Sequence, residues 1–431
     1  MRSSLVRLLL TAAGAVLLVL LLNWSVSRAS ASSDLPSRAM SGSPAAASDR
    51  LAVAAQSVVS TSVTHLPVIS KAYSAPLRPV VLGEAGALFQ PTDINSSGQV
   101  VGSAYIDQAQ SHAFVWQNGV MTDLGTLGGE MSRPAAINDH GQVAGVSSLR
   151  SGYNPPLHVF LWAGGVMTDV GALGAGWSEA VDINEQGWVI GYSATASGFS
   201  RGFVWANGVI TDLGTLGGNE TFVTDINDRG QIVGSSNTAD GKWHAYLWEK
   251  GVMTDIGAAW TDSAYGTYAA AINERGEVAG YSVRGGQVER GFFWAAGVLT
   301  DLGGFGSDVY RVDALNDRGQ VVGYAYVPST NTGHAFVWQD GVITDLGVSF
   351  NAFSRPALIN NDGWVVLDRS LPDVPWDQGL LWRGGVFTEL DAADGSGGSY
   401  ATAMNERGQI VGVSWTADMT HGALWDGAAN D

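Results

Sequence analysis

Apolar residues in this chain come in short alternating runs broken by glycine and asparagine. The segment His112-Ala113-Phe114-Val115-Trp116-Gln117-Asn118-Gly119-Val120-Met121-Thr122-Asp123-Leu124-Gly125 shows the pattern. It reads as a strand, a two-residue Asn-Gly turn and a second strand ending at a glycine. Asn-Gly suits such a turn because both central residues must take positive φ. Variants recur at Gly202-Phe203-Val204-Trp205-Ala206-Asn207-Gly208-Val209 and at His334-Ala335-Phe336-Val337-Trp338-Gln339-Asp340-Gly341-Val342. No stretch of the repeat carries the 3.6-residue period of an amphipathic helix, so an all-β fold is expected.

The repeat can be counted. A tryptophan recurs at Trp116, Trp162, Trp205, Trp248, Trp294, Trp338, Trp382 and Trp425, and an asparagine before a turn at Asn95, Asn138, Asn184, Asn227, Asn273, Asn316, Asn360 and Asn405. The mean spacing is about 44 residues, the length of a four-stranded propeller blade. In one copy the strands fall at 223–226 (a), 231–235 (b), 245–248 (c) and 252–256 (d). The last copy stops after strand c at Trp425. The repeat region opens with Pro79-Val80-Val81-Leu82-Gly83, which has the pattern of strand d. The two ends therefore complement each other, and an eight-bladed β-propeller closed by an N-terminal strand is expected, because closure removes exposed sheet edges.

Upstream of the repeat the pattern changes. In residues 1–31, Arg2 and Arg7 precede the apolar run 8–22 and an Ala29-Ser30-Ala31 cleavage site, the layout of a signal peptide. An uncleaved anchor is the alternative. Either route places the protein outside the cytoplasm, secreted, periplasmic or on the cell surface. Residues 32–78 are rich in alanine and serine and are expected to be a flexible linker, with the propeller at 79–431.

Composition narrows the function. Of 431 residues 57 are glycine, 14% are charged and none is cysteine, so disulfides, zinc-thiolate sites and thiol nucleophiles are absent. The formal charge is −18. Without residues 1–31, 19 basic groups face 40 acidic ones, a net of −21. Such a surface repels phosphate backbones and anionic lipid, which argues against nucleic acid and leaves an N-terminal anchor as the one membrane contact. A monomer is expected.

The tripeptides His112-Ala113-Phe114 and His334-Ala335-Phe336, the Val-x-x-Asp-Leu-Gly segments and the Ile-Asn-Asp-x-Gly-Gln turns together resemble the HAF repeat family of bacterial extracellular proteins. The resemblance covers residues 79–431. Arg201-Gly202-Phe203, Arg290-Gly291-Phe292 and Gln378-Gly379-Leu380 depart from the tripeptide. The resemblance implies export and a repeat architecture and transfers no catalytic residue.

No catalytic pattern emerges. There is no Gly-x-Ser-x-Gly elbow, and Gly-rich pieces such as Thr215-Leu216-Gly217-Gly218 open no helix. The histidines four residues before the repeat tryptophans (His112, His158, His244, His334, His421) lie on different blades, too far apart for metal bonds of ~2 Å. Pairing within the blade to the strand-d aspartates (Asp123, Asp212, Asp345) is expected instead, and no metal or cofactor. The segment 225–230 echoes a calcium loop, but Arg229 stands where a ligand oxygen is needed. The repeat tryptophans read as core between blades rather than a sugar-stacking ladder.

Chain parity locates a candidate ligand face. The a–b and c–d turns are short and nearly constant, whereas the b–c and d–a loops vary, as at 148–156, 240–243, 328–333 and 371–377. Variable loops on a rigid scaffold are the usual seat of binding. The position five before each repeat asparagine, at the entry of the innermost strand, reads Gln90, Arg133, Glu179, Phe222, Tyr268, Arg311, Arg355 and Tyr400. Flat rings and guanidinium forks suit sugars and carboxylates. The candidate ligand-binding residues are Arg133, Glu179, Tyr268, Arg311, Arg355 and Tyr400, joined by the off-register Trp177, Trp243, Trp260, Trp376 and Trp415. The expected function is an exported non-catalytic module binding polysaccharide or an envelope or extracellular protein. A glycan hydrolase or lyase using acids at the mouth, and a purely structural surface protein, are the alternatives.

Overall fold

The computed structural model describes residues 57–59, 64–66, 72–83 and 89–428, apart from short loop segments at 108–109, 153–154, 175, 261–264, 285–286, 306–308, 330, 351–356, 371–376 and 417–418. The signal peptide expected at residues 1–31 lies outside the described residues. Among those described, no helix is long and apolar enough to cross a membrane.

Eight antiparallel sheets stand around a central axis, each with strands a to d from the inside outward. Blades 1 to 8 occupy residues 89–123, 132–171, 178–212, 217–255, 265–301, 309–350, 358–389 and 399–426. Every strand a packs against its two neighbouring strands a, so the ring is closed. The missing strand d of blade 8 is Val80–Leu82, paired antiparallel with Thr420–Asp426 through Leu82↔Gly422, Val81↔Ala423 and Val80↔Leu424. The eight-bladed, N-terminally closed propeller read from the repeat is the fold.

The sequence of each strand follows from its place in the blade. Strand b lies inside the sheet and between two neighbouring blades, so both of its faces are dry. Its paired apolar residues, such as Val100-Val101, Val189-Ile190 and Val321-Val322, are fully buried. The glycine that follows sits beneath strand a: a Cβ on Gly145 would lie 2.3 Å from the Arg133 carbonyl and 2.7 Å from the Phe160 ring. Strand a carries a bulge opposite this glycine in blade after blade, for instance between Pro91 and Asp93 and between Ala180 and Asp182.

There is no single core. Eight apolar clusters each join two successive blades; one runs from Ala144, Val146 and Val159 of blade 2 to Ala180, Val189 and Phe203 of blade 3. The repeat tryptophans belong to these clusters, Trp425 being fully buried.

A ring of hydrogen bonds closes the a–b turn face. In each turn the asparagine side-chain oxygen accepts an N–H within the turn, as from Gln99 to Asn95 at 3.0 Å. On seven of the eight blades its side-chain nitrogen donates to the backbone carbonyl of the next blade's asparagine: Asn95 to Asn138, Asn138 to Asn184, Asn184 to Asn227, Asn227 to Asn273, Asn273 to Asn316 and Asn316 to Asn360, with Asn405 the seventh. The exception is Asn360, whose side-chain nitrogen is buried without a partner among the described residues. Asn405 closes the circle onto Asn95 at 2.9 Å. Asparagine fits because it both accepts and donates, whereas an ionised aspartate only accepts. The following acid adds a second ring: Glu185 accepts the Asp139 N–H, Asp228 that of Glu185 and Glu274 that of Asp228. The sequence that echoed a calcium loop is thus an inter-blade clamp.

One expectation is corrected. Part of the 32–78 linker is built into the ring. Ser57–Val59 pairs in parallel with Val298–Thr300 on the outer edge of blade 5. Thr64–Leu66 does the same on Val342–Thr344 of blade 6, and Ala72–Tyr73 on Val386–Phe387 of blade 7. This strap runs around the outside and ends in the closing strand. Strands of two or three residues have no stability of their own, so nothing in their local pattern marks them; the blade edge supplies the partner.

Candidate functional site

Because the blades are antiparallel, strand a enters from the face that bears the b–c and d–a loops. Its first residue turns back to the preceding blade. Ser132 accepts the Ala113 N–H at 2.9 Å and donates to the Gly125 carbonyl at 2.6 Å. Ser178, Thr221 and Ser399 repeat the carbonyl bond. The second residue is then free to face the mouth or the following blade, and it differs from copy to copy.

The candidates fall into three groups. In the first, the Arg133 guanidinium of blade 2 meets the Glu179 carboxylate of blade 3 at 2.7 Å. Tyr192, opposite Glu179 on strand b, begins an aromatic run. Its ring lies 5.8 Å from Trp177 and 5.6 Å from Phe222, both edge-on, and Phe222 lies 5.5 Å from Trp243. Trp177 is the exposed end of the run, at 39%. Burial raises the Glu179 pKa against the pull of Arg133, and raises that of Tyr192 to about 12.

In the second group Tyr268 stacks on Tyr281 at 5.6 Å within blade 5. Arg311 of blade 6 bonds Asp313 at 2.6 Å and lies over the Tyr324 ring at 4.8 Å. Asp313 also accepts the Ala357 N–H of blade 7, and burial raises its pKa despite Arg311. In the third, Tyr400 packs on Trp415 at 5.1 Å. Trp260 is drawn away from the mouth: its ring meets the buried Phe292 edge-on at 5.7 Å and packs against the blade 4–5 core. Arg355 and Trp376 lie outside the described residues.

Tyr192, Tyr281 and Tyr324 escaped the sequence reading although they carry a signal. Each follows the strand-b glycine, giving Gly191-Tyr192, Gly280-Tyr281 and Gly323-Tyr324, and each stands opposite a mouth residue of strand a.

Further along strand a, Asp93, Asp182 and Asp225 line the inner ring. Asp93 accepts the N–H groups of Ile94 and, across the blade boundary, Ile137; Asp225 accepts those of Ile226 and Ile272. Burial pushes Asp93 and Asp225 up to about 6. Burial, with the nearby charge of Asp225, raises Asp182 well above the usual carboxylate range. Among the described residues no group of three or more His, Asp or Glu could hold a metal ion.

Four of the five repeat histidines pair with an aspartate of their own blade, whereas Asp212 faces Arg201 at 3.9 Å. His112 bonds Asp123 at 2.9 Å, His158 Asp169 at 3.0 Å, His244 Asp255 at 2.8 Å and His334 Asp345 at 2.9 Å. The aspartates also cap the chain beyond strand d, as from the Gly125 N–H to Asp123.

No protein-family model and no curated protein matches the chain. Among solved structures it is similar to the β-propeller domain of the Trilobed protease from Pyrococcus furiosus, at 12% identity over 71% of this chain and 99% of that one, with a TM-score of 0.47. It is also similar to a puromycin-hydrolyzing peptidase from Mycobacterium tuberculosis, at 14% identity over 71% of this chain and 51% of that one, TM-score 0.42. A putative TolB from Agrobacterium tumefaciens aligns at 13% identity over 59% of this chain and 91% of that one, TM-score 0.35. These likenesses carry nothing about ligand or activity; the strand pairing itself establishes an eight-bladed propeller.

Proposed function

We propose that this chain is an exported, non-catalytic member of the HAF repeat family that binds polysaccharide at the mouth of the ring. The observation that carries the reading is the run Trp177–Tyr192–Phe222–Trp243 beside the Arg133–Glu179 pair, on the face whose loops vary. Aromatic faces bind the C–H surfaces of sugar rings, and a paired guanidinium and carboxylate offer donors and acceptors to hydroxyls in a fixed geometry. The opposite face spends its polar groups on the inter-blade rings. Glycan-array screening followed by calorimetry tests this. Saturable binding that Trp177→Ala weakens roughly tenfold, the scale of one good aromatic contact, is expected. An array on which no glycan rises above background overturns it.

A second reading follows from Glu179. A buried carboxyl with a raised pKa can serve as a general acid in glycan cleavage. Turnover on a polysaccharide panel that disappears in Glu179→Gln would establish that reading in place of the first.

A further inference from the structure

The strap exposes a property of the blade edges. On blades 5, 6 and 7 it pairs with Val298-Leu299-Thr300, Val342-Ile343-Thr344 and Val386-Phe387, each followed by an acid or by Thr-Glu. The edge strands of blades 1 to 4 carry the same pattern: Val120-Met121-Thr122-Asp123, Val166-Met167-Thr168-Asp169, Val209-Ile210-Thr211-Asp212 and Val252-Met253-Thr254-Asp255. Among the described residues these four have a partner on one side only. The leading valines of blades 1, 2 and 3 are 65%, 62% and 62% exposed, against 36% for Val298 and 38% for Val386. Val252 of blade 4, at 38%, is already as shielded as the strapped valines, which sets blades 1 to 3 apart as the open edges. The edges hold no lysine and no proline, the usual guards against strand addition.

The strap also shows what such an edge accepts. Residues 57–73 contain Lys71 and His65 and no acid, which complements edges bearing Asp123, Asp169 and Asp212 on a chain of net charge −18. Its paired pieces begin at Ser57, Thr64 and Ala72, a step of seven to eight residues from blade to blade. A second copy of the chain is a poor donor, because its strap is held in cis at high effective concentration.

We propose that the outer edges of blades 1, 2 and 3 dock an extended, acid-free segment of a partner protein, which adds as a parallel fifth strand in the register the strap uses on blades 5 to 7. The outward backbone groups identify the contact positions. The Phe387 carbonyl accepts the Ser74 N–H and the Glu389 carbonyl accepts the Leu77 N–H, so alternate residues from Phe387 face outward. The positions equivalent to Phe387 are Met121, Met167 and Ile210.

A labelled synthetic peptide of residues 55–75, titrated into the full chain, tests the proposal. Saturable binding is expected, lost at least tenfold in the triple variant Met121→Pro, Met167→Pro, Ile210→Pro and retained in the alanine triple, which keeps the N–H groups. Hydrogen exchange on the unmodified chain guards against misfolding of the proline variant: the peptide should slow exchange at Met121, Met167 and Ile210. Binding unchanged by the prolines, protection confined to blades 4 to 7, dimerisation through these edges without peptide, or no binding at all would overturn it.

Discussion

The two faces of the ring are built from the same strands and treat polar residues in opposite ways. On the a–b turn face, one asparagine per blade repeats one set of bonds around the circle, and on every blade but the seventh its oxygen and nitrogen are both spent. On the mouth face the equivalent end of strand a carries arginine, glutamate, phenylalanine or tyrosine, and each finds a different partner. The physical difference is where the chain needs to be joined. The turn face lies where strands a converge, so leaving a donor unpaired there is costly, and the asparagine recurs in all eight copies. At the mouth of blades 2 to 5 and 8 the preceding serine or threonine has already tied the strand to its neighbour, which leaves the next side chain open to change.

That contrast can be broken at several points. The largest effect is expected at closure. Leu82 is 1% exposed in the strand that completes blade 8 from the N-terminal side, and Leu82→Ala should cost about 2–5 kcal/mol in urea denaturation. Asn405→Ala removes the closing bond to Asn95 and the acceptor for the Arg407 and Gln409 N–H groups, at about 2–4 kcal/mol by the same measurement. Among the histidine pairs, His334→Ala strands the buried Asp345 and should cost about 1–3 kcal/mol, whereas His112→Ala, beside a half-exposed Asp123, should cost under about 1 kcal/mol. At the mouth, Trp177→Ala should move stability by no more than about 0.5 kcal/mol while acting on binding. A large loss there would mean that the mouth is scaffold too.

The inner-ring acids sharpen the comparison through pH. Asp93 is raised from 3.8 to about 6 in the folded chain, mainly by burial. The folded state therefore holds this proton more tightly than the unfolded chain, so the contribution to stability is greatest below pH 3.8 and is lost as pH rises towards 6. Asp93→Asn removes that dependence. The stability difference, variant minus parent, should rise by about 1–2 kcal/mol between pH 4 and pH 7, on top of a constant loss from its weaker acceptor. A flat difference would show that Asp93 titrates as an ordinary carboxylate.

Much of this could be read from the chain alone. Period, blade number, strand order, the closing strand, the tryptophan core and the His–Asp pairs all follow from local patterns repeated eight times, and repetition averages away the ambiguity of any one copy. Asn95 to Asn405 were visible as markers, and only the ring shows why: their donors reach across blade boundaries 43 to 46 residues away in sequence, and 310 at closure. The Gly-Tyr dipeptides are equally visible in the chain, but their meaning depends on which strand-a residue lies opposite. Trp260 and Trp177 look alike as off-register tryptophans, yet one packs against an inter-blade core and the other is the exposed end of an aromatic run, a difference set by the space between blades. The strap lies furthest from sequence reading. Its pieces of two or three residues have no period and too little apolar surface to order themselves, and they become strands only because a finished blade presents a row of unpaired backbone groups.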